Sequence, residues 1–148
     1  MPAAAKDTFL KACRAVYAMA APPVGVTTMP TLYLDDAPET TGYPRAIIVH
    51  EGETPNPDSF GEPDGNAAYN EARVTIHLMS ENDSDLAEDL ATSVRSVFSP
   101  ESLNLTFDQN ARIFRTGYKV SLAGIRSPAD NPVYVASISY KGVFGTDD

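Results

Sequence analysis

Residues 71–98 read EARVTIHLMSENDSDLAEDLATSVRSVF, and this stretch decides the fold. Val74, Ile76 and Leu78 fall on one face of an extended chain, and Arg73, Thr75 and His77 on the other. After Asn82, Asp83 and Ser84, each a competent N-cap, the period changes. Leu86, Leu90, Val94, Val97 and Phe98 then recur at helical spacing. A strand with one apolar face running directly into an amphipathic helix describes a helix packed on one side of a sheet. The block holds no obvious chemistry. Its acidic cluster, Asp85, Glu88 and Asp89, lies in the first two helical turns, where the helix dipole and solvation account for it.

Working outward, Lys6 to Ala20 reads as a first helix, with Phe9, Leu10, Cys13, Val16, Tyr17 and Ala20 on one stripe and Pro22-Pro23 as its stop. Thr31 to Leu34 is a short strand candidate, and Arg45 to His50, rich in β-branched residues, suits a central strand. Glu51 to Tyr69 is rich in Gly, Pro and acid, and its Asp64-Gly65 step points to a long hairpin arm. Leu103, Leu105 and Phe107 alternate as a short extended piece. Ala111 to Ile125 alternates again, with Tyr118, Val120 and Leu122 against Lys119, Ser121 and Ala123. Val133 to Val143 is a long final strand that carries Tyr134, Ala136, Ile138 and Tyr140 on one face. The expectation is an α+β fold: an antiparallel or mixed β-sheet with two main helices packed on one face and a long acidic hairpin arm. A single domain is expected over residues 1–148, with 51–69 as the extended arm and 145–148 as a flexible tail.

Composition narrows the function classes. With 148 residues, 43% of them hydrophobic and 21% charged, the chain is long enough to bury a core without staples. No apolar run approaches the roughly 20 residues of a membrane span. The alanine-rich start, with one basic residue before the first apolar cluster, does not read as a signal peptide. Cys13 stands alone, which excludes an internal disulfide and suits a reducing compartment. Net charge is −9, and the 11 basic residues are scattered along the chain, so holding nucleic acid by phosphate neutralisation is not expected.

The candidate sites are few. His50 and His77 are the only histidines and could form a metal or acid–base pair if their strands bring them together, but they lack ligand spacing. Phe60 to Glu71 approaches a calcium loop through Glu62, Asp64, Gly65 and Glu71, yet Phe60 takes the place of the first acidic ligand and Pro63 interrupts the loop. Cys13, on the apolar stripe of its helix, suits an inert core thiol. Gly117 and Gly124 bracket a strand and mark a bend or bulge. No nucleophile elbow or phosphate loop occurs. Phe60 and Tyr69, two aromatics in an acidic arm, point to a protein contact. The candidate interface is therefore Phe60, Tyr69, Arg73, Thr75 and His77, with no catalytic, cofactor-binding or metal residues assigned.

The order of elements resembles the tail terminator proteins of long-tailed bacteriophages, the small neck proteins that cap the tail tube. The resemblance rests on Ala72 to Leu78 with Asp85 to Phe98 after it, and on the closing Tyr134-Val135-Ala136-Ser137-Ile138-Ser139-Tyr140. It is a pattern of elements over most of the chain. It implies a non-enzymatic virion protein, made in the host cytoplasm, that forms a ring, in all expectation a hexamer, on the tail tube protein and faces the head connector or completion protein. DNA would pass through its lumen without specific binding. No cofactor and no membrane partner are implied. Two alternatives stay open: another neck component, such as a head-completion or connector protein, and a small α+β ligand- or metal-binding domain or enzyme using His50 and His77.

Overall fold

The alternation that begins at Tyr69 produces the central ladder of the sheet. The computed structural model describes residues 5–35, 42–55, 69–98 and 111–145. In chain order the elements are α1 (Ala5–Tyr17), β1 (Leu32–Leu34), β2 (Arg45–Pro55), β3 (Tyr69–Glu81), α2 (Ser84–Val97), β4 (Ala111–Arg126) and β5 (Pro132–Gly145). The five strands form one sheet in the order β1-β2-β3-β5-β4. β1 runs parallel to β2 and every other neighbour pair is antiparallel, so the sheet is mixed and the fold is α+β.

Strand parity sorts the residues into two faces. Ile48, Ile76 and Ile138 share one cross-strand row, with Ala46, Leu78 and Ala136 in the next. These side chains join Val74, Tyr140 and Leu32 in a core with Phe9, Cys13 and Val16 of α1 and Ala87, Leu90, Ala91 and Val94 of α2. Both helices therefore lie on the same face of the sheet. Burial of these apolar rows is the main stabilising term, at about 1.5–3 kcal/mol for each fully buried Leu, Ile, Val or Phe. Phe98 extends the layer past α2 by stacking on Tyr140, centroids 4.6 Å apart.

Local chemistry fixes the joints. Of the three possible caps of α2, Asp83 takes the role: its backbone is extended and its carboxylate accepts the Leu86 N–H at 3.1 Å. Asn82 just before it turns the chain with φ at 64°. α1 ends at Tyr17 and not at Ala20. Its exit tightens into i→i+3 bonds, Met19 N–H to Val16 O and Ala20 N–H to Tyr17 O, both 3.0 Å, before the prolines are reached. The Tyr17 hydroxyl then donates to Pro30 O at 2.7 Å and ties the approach to β1 against the helix.

Two ladders carry irregularities, one between His50 and Gly52 in β2, the other between Arg115 and Gly117 in β4, beside the glycine expected to mark a bend. A second shift in β4, between Leu122 and Arg126, spans Gly124. Leu122 shares the face of Tyr118 and Val120, which pack on the core, but is itself 62% exposed, on a strand that has only β5 as a neighbour among the described residues. The extended piece at Leu103 to Phe107 and the tail beyond Gly145 lie outside the described residues.

A candidate interface on the uncovered face of the sheet

The face opposite the helices is built by the other parity of the same strands. Across the sheet, Ile47, His77, Ser137 and Lys119 form one row, and Val49, Thr75, Ser139 and Gly117 the next. Arg73 and Lys141 sit opposite each other in the row beyond. Among the described residues no helix covers these rows.

The polar groups here are bonded to one another. The Thr75 hydroxyl donates to Oε1 of Glu51, the residue skipped by the β2 bulge, so the bulge aims a carboxylate across the sheet. A hydroxyl has one proton to give; the Ser139 hydroxyl therefore donates to Thr75 Oγ1, 3.0 Å away. His77 Nδ1 and Ser137 Oγ are 2.8 Å apart. Burial lowers the His77 pKa, and the nearby Glu51 carboxylate opposes that shift without reversing it. Glu71 lies between two cations, 3.1 Å from Lys141 Nζ and 3.6 Å from Arg73 Nη2. The Arg73 side chain is 55% exposed, so that second pair contributes little.

The residues expected to form the interface are distributed unevenly. Arg73 is exposed, His77 is half-buried, and Thr75 is only 8% exposed with its hydroxyl engaged, so Thr75 shapes the face more than it presents itself. Tyr69 opens β3 opposite Gly145. Phe60 and the calcium-like positions Glu62, Asp64 and Gly65 lie outside the described residues. The two histidines do not meet. His50 pairs with Val74 and shares the helix-covered face, whereas His77 pairs with Ile47 on the opposite face. The metal or acid–base pair weighed from the sequence is therefore not assembled, and among the described residues no group of three or more His, Cys, Asp or Glu side chains is arranged around a cation.

Ser137 and His77 have the separation of a nucleophile and its base, but hydrolytic chemistry needs donors for an oxyanion. Ser137 lies mid-strand in β5, which is paired on both sides, so neighbouring backbone N–H groups are committed to the ladders with β3 and β4. The arrangement makes a stiff polar surface with paired groups. No described helix is long and apolar enough to cross a membrane.

No protein-family model matches the chain, and no curated protein matches it.

One feature of charge escapes a reading of scattered cations. β4 spans Ala111–Arg126 and holds four of the eleven basic residues, Arg112, Arg115, Lys119 and Arg126, with no acid among them. Counting charge element by element, and not over the whole chain, would have found it.

Proposed function

We propose that this chain is a structural subunit of a phage neck, a tail terminator that assembles as a ring, expected to be a hexamer, on the end of the tail tube. There it would end tube polymerisation and offer the surface to which the filled head attaches. The observation that carries the reading is the one-sided architecture. Both helices occupy one face of the sheet, and among the described residues the other face is left as a hydrogen-bonded polar surface whose groups serve docking better than reaction. Heterologous contacts between such subunits close into a ring when the rotation is right. The net charge of −9 suits a lumen through which DNA slides without being held. Arg73 and His77 are the contacts favoured on the uncovered face, and the acidic segment beyond β2 is the arm that would reach a neighbouring subunit or ring.

Electron microscopy of tails assembled with and without the protein tests the reading. Its absence should give overlong or headless tails. Deleting residues 56–68 should leave a folded domain, by circular dichroism, that no longer joins heads to tails. Tails of normal length that join heads in the protein's absence would defeat the assignment.

A further inference from the structure

We infer that copies of this chain join side to side, the cleft between α1 and β1 of one copy receiving the α2–β4 flank of the next; the inference rests on the ring reading and names its contact surfaces. In the helical layer α1 lies over β2 and β3, and α2 over β3, β5 and β4. The layer therefore ends in α1 towards the β1 side of the sheet and in α2 towards the β4 side. The exposed apolar side chains sort to these same two flanks. Among the described residues the large ones are Met19, Val24 and Leu34 on the first, and Leu122 and Ile125 on the second. On the β1 side an open cleft of about 520 Å³ is lined by Arg14, Tyr17 and Ala18 at the end of α1 and by the chain from Met29 to Leu32. Met19 and Leu34 follow its lining residues by one and two positions.

Charge is complementary in the same sense. Lys11 and Arg14 are exposed on α1, Asp85, Glu88 and Asp89 are exposed on α2, and among the described residues none of them is in an ion pair. Arg14 stands on the cleft itself. Glu88 precedes Arg95 by two helical turns, and the Arg95 guanidinium lies 4.3 Å from the ring centroid of Tyr118 in β4. Glu88 therefore belongs to the β4 flank of α2. The cations of β4 do not cancel it. Lys119 is on the opposite face of the sheet beside Ser137, Arg115 stands towards the other end of the strand beside Tyr140, and Arg126 is held by Asp130 at 2.7 Å. On the cleft side, Asp35 follows the far end of β1. A cationic, partly apolar cleft thus has an acidic, partly apolar counterpart on the other side of the molecule.

Register sets both surfaces at one height. Leu32 stands beside Ala46, Arg45 beside Met79, Met79 beside Val135 and Val135 beside Ser121, so the start of β1 and the Leu122 end of β4 share one end of the sheet. α2 starts there too, directly after β3, and carries its acids in its first turns. The Tyr17–Pro30 bond holds the end of α1 at the same level. Within one copy the two flanks are separated by the width of the sheet, so the occupant of the cleft is a second copy. Each copy gives one flank and receives another, which makes the contact heterologous, and equal height removes the offset along the strands that would wind it into a filament. DNA is the competing occupant of Lys11 and Arg14, and the chain's net charge of −9 disfavours it.

Charge exchange tests this. One full-length variant carries K11E and R14E; the other carries E88K and D89K. Solution mass is measured for each alone and for the equimolar mixture, with circular dichroism as the folding control. Each variant alone should dissociate at about tenfold higher concentration than the parent protein. Mixing should restore assembly, because alternating copies again set opposite charges against each other. L122S/I125S should weaken assembly as well, equally at low and high salt, and serves as the test if a charge-reversed variant does not fold. If all three variants assemble like the parent, or mixing restores nothing, this contact is wrong while the ring stands. Assembly that stops at a dimer in parent and mixture alike would overturn the head-to-tail geometry. Unchanged assembly of K11E/R14E with lost binding to duplex DNA would give those cations to nucleic acid. A parent protein that stays monomeric both free and with tail tubes would overturn the ring reading itself.

Discussion

Gly142 offers the sharpest test of the packing between sheet and first helix. A β-carbon added there would overlap the Phe9 ring, lying 2.5 Å from Cζ, 3.0 Å from Cε2 and closer still to Cε1. Phe9 is fully buried, so the ring has no solvent to swing into. Gly142 stands in β5 opposite Ala72 of β3, also fully buried, so the strand is not free to retreat. Gly142→Ala should then destabilise the protein by about 1–3 kcal/mol, the range for forcing extra methylenes into a packed core. Better strand propensity of alanine would offset less than about 1 kcal/mol of that. For a domain of this size the melting temperature should fall by about 2–4 °C per kcal/mol. Urea unfolding followed by far-ultraviolet circular dichroism reads the change, and Phe9→Leu supplies the second corner of a cycle. Alone it should cost about 1–2 kcal/mol for the lost carbons. Combined with Gly142→Ala it should cost less than the sum, with a coupling of about 1 kcal/mol or more, since the smaller side chain vacates the clash. Strict additivity, or Gly142→Ala within 0.5 kcal/mol of the parent (about the range of an inert surface change), would refute the close approach of α1 to β5.

Two further predictions follow from burial. Because the folded-state pKa of His77 lies below its ordinary value of 6.5, the unfolded chain takes up the proton first as pH falls. The stability that neutral His77 contributes is thus present above about pH 6.5 and is lost below it; His77→Gln should flatten the decline in urea midpoint between pH 7.5 and 5.5, and an unchanged slope would remove His77 as its source. Cys13 is fully buried, and burial drives its thiol pKa far above the usual range. It should resist a thiol-reactive dye in the native protein and react stoichiometrically in denaturant; rapid native labelling at neutral pH would contradict the placement of α1.

The stretch from Glu71 to Phe98 was legible because two independent periodicities, one of strand and one of helix, each had a single apolar solution. The long strands β4 and β5 were legible for the same reason. β1 spans only Leu32–Leu34, and no pattern in a run so short specifies its parallel pairing with β2. The faces of His50 and His77 depend on cross-strand register, and register includes a bulge at Glu51, beside a Gly52 that reads equally well as part of the Gly- and Pro-rich segment after it. The bonded group of Glu51, Thr75 and Ser139 was hidden likewise, since it draws on three strands. The acceptor role of Asp83 was visible only as one of three equivalent choices. Which Cβ meets the Phe9 ring is a matter of helix–sheet distance, and composition carries no trace of it.

The strand order also sets how the chain must fold. β2–β3 and β4–β5 are sequence neighbours, but the seam that joins them, β3 to β5, brings together residues such as His77 and Ser137, 60 positions apart. Closing that seam incurs the loop entropy of everything between, so it belongs late in the reaction and slows it. Until it closes, the Val74, Ile76 and Leu78 row lacks its β5 neighbours, and the polypeptide is most exposed to aggregation. α2 follows β3 after a two-residue turn and is the first element placed to shield that row. The same compact strand–helix unit that organises the finished sheet would then act during biogenesis as its own chaperone.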